Sequence, residues 1–190
     1  LAYGATGTVN LADLAQRMGE APEGLRLAAL AMLVVAFAIK AGLAPFLYWL
    51  PASYPVLSGP VAALFAGMMT KLGVYALLRI APLLMRDTVL PEVLVWVGAA
   101  SALVAVVAAL SEYELRRLLS FHISSQVGYM VLGLGLMTRA AIAGAVFYLV
   151  HHVLVKAALF FVAGCATMRE TVDLPDIGSW PARNEILGSL

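Results

Sequence analysis

The sequence contains only three lysines, Lys40, Lys71 and Lys156, and each lies near the middle of a long apolar run. Acidic residues do the reverse. They fall at positions 13, 20, 23, 87, 92, 112, 114, 170, 173, 176 and 185, all in connections or at the ends of apolar runs. The arginines keep to similar places, and Arg79, the deepest, stands near the end of the second run, where its stem can reach the interface. A charge at mid-bilayer depth costs at least about 2.5–3.5 kcal/mol, so three amines placed there need a reason. Guanidinium keeps its proton, whereas a desolvated amine can release one. Lysine is therefore the basic side chain suited to proton exchange inside a membrane. The alternative is that each lysine fastens a neighbouring helix through backbone carbonyls or a distant carboxylate. Confinement of all three to the centres of apolar runs favours the first reading.

The stretch FYLVHHVLVKAALFFVAG, residues 147–164, adds two histidines to one of these lysines. Side chains four apart share a helix face, so Tyr148, His152 and Lys156 form one polar file that can hold water or relay a proton. His151 stands about 100° round the helix from His152 and faces another neighbour. A structural hydrogen bond and a transport role both remain open for it. A second patch, His122, Ser125 and Gln126, lies in RRLLSFHISSQVGYM. Hydrogen bonding between helices is the better-supported role for that patch, with His122 a secondary transport candidate. Around Lys40, KAGLAPFLYWLP holds Gly42, Pro45 and Pro51. A proline inside the membrane bends the helix and leaves a carbonyl unpaired, and interrupted helices of this kind line ion paths.

The elements that carry these residues follow from composition. The chain has 190 residues, is 63% hydrophobic and has a mean hydropathy of +0.94, against roughly 45–50% apolar residues in an ordinary soluble domain. A helix crossing the hydrocarbon layer needs about 20 mostly apolar residues. The windows 25–50, 60–85, 91–110, 116–137 and 141–167 qualify, which predicts an all-α polytopic membrane protein with about five crossings, the first of them broken. The runs are continuously apolar and too long for barrel strands. Residues 1–24 read as an extramembrane connector with a short helix opening at Asn10, a good N-cap. Residues 168–190 read as an extramembrane loop leading to a further helix. The first residues, LAYGATG, show no leader, and both edges read as cuts through a longer polytopic subunit. Arginines divide evenly between the two faces, so the positive-inside bias sets no orientation.

Several function classes receive no support. A net charge of +1 offers no electrostatic case for nucleic acid. Cys165, the only cysteine, can form neither an internal disulfide nor a metal cluster by itself. His151 and His152 are adjacent rather than a turn apart, and HExxH, CxxC and GxGxxG are all absent. No metal or organic cofactor is expected in this segment.

With these residues in hand, the sequence resembles a known family. KAGLAPFLYWLP, PVAALFAGMMTKLGVYALLR, ELRRLLSFHISSQVGYM and HHVLVKAALFFVAG follow one another as do the motifs of the antiporter-like subunits shared by respiratory complex I and Mrp-type cation/proton antiporters. Lys40 and Lys71 are 31 residues apart, like that family's two central lysines. The resemblance covers essentially the whole chain. It implies a larger fold of about fourteen helices with two inverted repeats, broken helices and a central hydrophilic axis. It further implies that Lys40 belongs to the first broken helix, Lys71 to the next, and His152 and Lys156 to the file that continues the axis. Tyr148 takes the place of a further histidine, and tyrosine, titrating near 10, suits orienting a water better than carrying charge. The family's paired glutamate would precede Leu1 and its last axial lysine would follow Leu190.

Complex I members read WLPDAH where this chain has WLPASYPVLSGP, while TKLGVYALLR and SFHISSQVGYM are closer to D-type subunits of Mrp antiporters. The resemblance thus implies a subunit of a Na+/H+ antiporter rather than an enzyme. It would sit in a bacterial inner membrane, in contact with lipid and with other subunits of a hetero-oligomeric complex, and carry protons coupled to Na+. Two alternatives remain: a proton-pumping membrane subunit of complex I or a related membrane-bound hydrogenase, and a purely structural membrane scaffold.

Overall fold

The computed structural model describes residues 1–166; the loop expected at 168–190 lies outside them. All the regular elements described are helices. Near the start come α1 (Ala2–Thr6), closed by Gly7 in the left-handed conformation, and α2 (Leu11–Arg17). Asn10 caps α2 by accepting the Ala12 N–H at 3.0 Å. Five long helices follow: α3 (Glu23–Ala41), α5 (Gly59–Ile80), α6 (Leu90–Leu110), α7 (Leu115–Gly135) and α8 (Arg139–Ala166), with the short α4 (Trp49–Ser53) between α3 and α5.

Among the described residues four segments are long and apolar enough to cross a membrane: Glu23–Ser53, Gly59–Met85, Leu90–Leu110 and Arg139–Ala166. The chain is a multi-pass membrane protein. The sequence reading counts a fifth crossing, α7, which equals α6 in length, about 31 Å at 1.5 Å per residue, but is too polar to qualify on composition. The physical reason is burial. Ser120, Ser124 and Ser125 of α7 are fully enclosed, so side chains that make this helix polar on average face protein and not lipid.

Small residues set the helix contacts, as is usual where lipid provides no hydrophobic drive for association. α6 and α7 run antiparallel with their backbones touching: a Cβ on Gly128 would stand 2.6 Å from both Ala102 N and Gly98 O, and one on Gly98 would stand 2.6 Å from Leu132 N. The Ser125 hydroxyl donates to the Ala102 carbonyl across this seam at 3.1 Å. α5 and α8 also pack antiparallel, Gly59 against Gly164 and Gly67 against Ala157 and Val153. α3 lies along α5 with Gly73 against Phe37 and Ala41.

The first crossing is interrupted. α3 stops at Ala41 because Gly42 adopts φ 76°, ψ 39°, a conformation glycine takes without steric cost. The Gly42 N–H turns back to Ala38 and Ile39, and Leu43 donates to the Ala38 carbonyl at 3.0 Å. Pro45 has no N–H with which to continue. The freed groups are held from elsewhere: Ser101 of α6 accepts the Ala44 N–H at 2.8 Å, and the Trp49 indole donates to the Ile39 carbonyl at 2.9 Å. Beyond the break, Tyr54 is buried against Trp49 and Phe160 and donates to the Phe65 carbonyl at 3.3 Å. Arg116 of α7 reaches the Pro55 and Leu57 carbonyls, each at 3.0 Å.

The second break implied by the resemblance is not where Lys71 lies. α5 is a continuous α-helix through Lys71 and widens only at Ala81–Met85, a single π turn holding Pro82. The cause is local. TKLGVYAL, residues 70–77, contains no proline, and Gly73 sits in the helix because α3 approaches too closely for a side chain.

Candidate functional site

Lys71, His152 and Lys156 are all interior, with 3%, 3% and 2% of their surface exposed. Their side chains come from two helices whose register brings them together. With Gly67 of α5 against Val153 and Ala157 of α8, the next turn of α5 carries Lys71 to the level of His152. His152 accordingly lies within electrostatic range of Lys71, Lys156 and His122. The Lys71 amine donates to the Ala66 carbonyl of its own helix. Tyr148, His152 and Lys156 lie along one face of α8, and the Tyr148 ring stacks on His152 with centroids 6.1 Å apart and planes 17° from parallel.

Lys40 occupies another position. It is half-buried in the last turn of α3, just before the break, where the partial negative charge of the helix C-terminus favours a cation. Because Gly73 packs on Ala41 and Phe37, Lys40 stands at about the depth of Lys71. No hydrogen bond among the described residues joins it to the other basic groups.

His122, read from sequence as part of a separate patch, belongs to the same cluster: its Nδ1 lies 3.1 Å from Lys156 Nζ. Its neighbour in that patch, Ser125, is committed to the α6 seam. His151 is exposed among the described residues, its ring stacked 5.9 Å from that of Tyr148, and it is not buried with Lys71, His152 and Lys156. Two hydroxyls escaped the sequence reading, Thr70 beside Lys71 and Ser124 against Gly42 at the break of α3. The hydroxyls of Thr70 and Ser124 and both ring nitrogens of His152 are buried without a hydrogen-bond partner among the described residues. Buried polar atoms of this type are usually met by ordered water.

No carboxylate is buried with these bases among the described residues. Among the described residues the acids stand at helix starts and in connections, such as Glu23, Asp87, Glu92, Glu112 and Glu114. Several bases enclosed together in a low-dielectric interior cannot all hold protons, so a proton arriving on one favours release from the next. An arrangement of this kind can relay a proton.

Comparison with known proteins gives a consistent result. Residues 1–182 match the family model described as NADH:quinone oxidoreductase/Mrp antiporter, TM. A protein of Alkalihalophilus pseudofirmus, named as the D-type subunit of a Na(+)/H(+) antiporter, is 45% identical over 181 residues, covering 93% of this chain and 36% of that one. The protein of the same name from Bacillus subtilis is 33% identical over 190 residues, covering 98% and 38%. Among solved structures, a chain of the Mrp complex from Dietzia sp. is 38% identical with a TM-score of 0.78, over 86% of this chain and 30% of that one. A chain of the membrane-bound sulfane sulfur reductase, an archaeal respiratory membrane complex, is 29% identical with a TM-score of 0.84, over 90% and 36%. The chain thus spans little more than a third of the length of these curated relatives.

Proposed function

This chain belongs to the NADH:quinone oxidoreductase/Mrp antiporter transmembrane family, and from that premise we propose that it is a proton-conducting part of a membrane subunit of a multi-subunit Na+/H+ antiporter. Protons move laterally between Lys40, Lys71, His152 and Lys156 through ordered water, while Na+ moves in the opposite sense elsewhere in the complex. The complex sits in a bacterial plasma membrane, and the other subunits are this chain's partners. The observation that carries the reading is the enclosure of Lys71, His152 and Lys156 in one register, with no buried carboxylate among the described residues. The antiporter names of the relatives at 45% and 33% identity support the choice of reaction.

Lys40 is the group through which this segment receives or delivers protons, since it sits at the helix break, in the least enclosed position of the three lysines. In everted membrane vesicles carrying the complete complex, Lys40→Ala is expected to lower Na+-driven proton movement at least about tenfold, with the complex still assembled. Undiminished exchange by this variant would remove Lys40 from the path.

A second reading is a redox-driven proton pump, favoured by the likeness to the archaeal respiratory complex. The two readings share the relay and differ in what drives it. Genes for small antiporter subunits beside this one support the antiporter, and genes for peripheral iron–sulfur subunits support the pump. In the third reading, a scaffold, the lysines only hold helices, and Lys71→Met then changes assembly but not exchange.

A further inference from the structure

The seam between α7 and α8 carries more polar chemistry than α8 alone. The two helices are joined by a turn of three residues, 136–138, in which Met137 takes φ 52°, and they run antiparallel. Gly133 faces Ala141 and Ala145, and His122 faces Lys156. The same register sets Gln126, one turn beyond His122, opposite His152. One turn further, Tyr129 and Tyr148 line one groove of about 440 Å³ together with Gly133 and Gly144. His122, Gln126 and Tyr129 on α7 thus match Lys156, His152 and Tyr148 on α8, rung by rung.

We propose that His122 exchanges protons directly with Lys156, so that the relay runs on two facing helices rather than along α8 only. The inference rests on the lysine–histidine reading above and deepens it. The Lys156 ammonium donates an N–H to the Nδ1 lone pair of a neutral His122 whose proton is on Nε2. Transfer breaks the Nζ–H bond and forms the Nδ1–H bond, leaving a neutral amine and an imidazolium. The imidazolium then gives up its Nε2 proton to a water, and the ring is left as the Nδ1–H tautomer. The ring then turns so that its unprotonated Nε2 faces Lys156, which takes a fresh proton from the His152 side of the file, and one proton has passed from α8 to α7. A lysine paired only with backbone carbonyls has no such acceptor, because a carbonyl does not take the proton. His122 is half-buried among the described residues, and the step requires a water at its Nε2. The titratable groups that face it are Lys156 and, beyond Lys156, His152; no acid of the described residues is among them.

The test uses the complete antiporter complex in everted vesicles, with assembled complex quantified by immunoblot and Na+-driven proton movement measured across pH. His122→Gln keeps a hydrogen-bonding group beside Lys156 but cannot carry a proton through. It is expected to assemble like the parent, to lose at least about tenfold in rate per assembled complex, and to change the shape of the pH profile. His122→Ala is expected to regain exchange when free imidazole is supplied. The proposal is overturned if His122→Gln matches the parent in rate and pH profile, or if both variants lose exchange only in proportion to lost complex. The two levels of the account fail separately. Normal exchange by Lys71→Met and Lys156→Met removes the relay itself, whereas inactive lysine variants beside a parent-like His122→Gln remove only the role of His122.

Discussion

Lys71→Met is expected to lower Na+-driven proton movement by at least about 100-fold while leaving the complex assembled. Lys71 is buried, one turn from Gly67 on the face of α5 that packs against α8, and among the described residues it donates to the Ala66 carbonyl of its own helix. Methionine has nearly the same length and fills the same space without a charge. Replacing a buried charged group by an apolar one of similar volume is often neutral or stabilising, so folding has no reason to suffer. Transport does. The substitution removes the amine that α5 places at the level of His152, on the face packed against α8. Lys71→Arg sharpens the case, because it restores the positive charge in a group that holds its proton at every accessible pH. It is expected to be as inactive as the methionine variant. Exchange rate per assembled complex in vesicles checks both, and recovery of exchange by the arginine variant would mean that charge, not proton exchange, is what the site needs.

The second large effect falls on stability. Gly128→Val is expected to destabilise the protein by about 3 kcal/mol or more and to deplete it from the membrane. A Cβ there meets the Ala102 backbone nitrogen and the Gly98 carbonyl oxygen at 2.6 Å, and neither atom can swing aside as a flexible side chain would. α6 and α7 must separate. The Ser125 bond to the Ala102 carbonyl is then lost, and Ser101, one residue away on α6, shifts from the Ala44 N–H that it holds at the break of α3. Damage at a contact remote from the lysines thus spreads to the broken helix. Abundance of the protein by immunoblot and the melting temperature of the purified complex report the effect, and parent-like values for both would show that the seam is looser than drawn.

What was legible in the sequence depends on whether a feature is local. The file Tyr148, His152, Lys156 follows from a spacing of four on a helix, and the interruption of the first crossing follows from Gly42 and Pro45; both need only one segment of chain. The contribution of α7 needs two. Its serines, His122 and Gln126 look like an isolated polar patch until the short turn at 136–138 fixes the register that sets His122 against Lys156. The apolarity of a window counts residues without asking which way they face, and for that reason α7 falls short as a span while packing like one. Continuity of α5 through Lys71 went unforeseen because resemblance to a family with broken helices outweighed the absence of proline in residues 70–77. Thr70 and Ser124 gave no signal, since hydroxyls are common in membrane helices and only burial without a partner marks these two.

The measurement that bears most directly on the relay is a double-variant series in the complete complex, comparing Lys71→Met, Lys156→Met and the two combined. Groups acting in series fail together: each single variant is expected to remove nearly all exchange, and the combined variant to be no worse than either. If all three exchange Na+ for protons at the parent's rate per assembled complex, or if each single variant loses only a modest share and the losses multiply, then protons do not pass from Lys71 to Lys156.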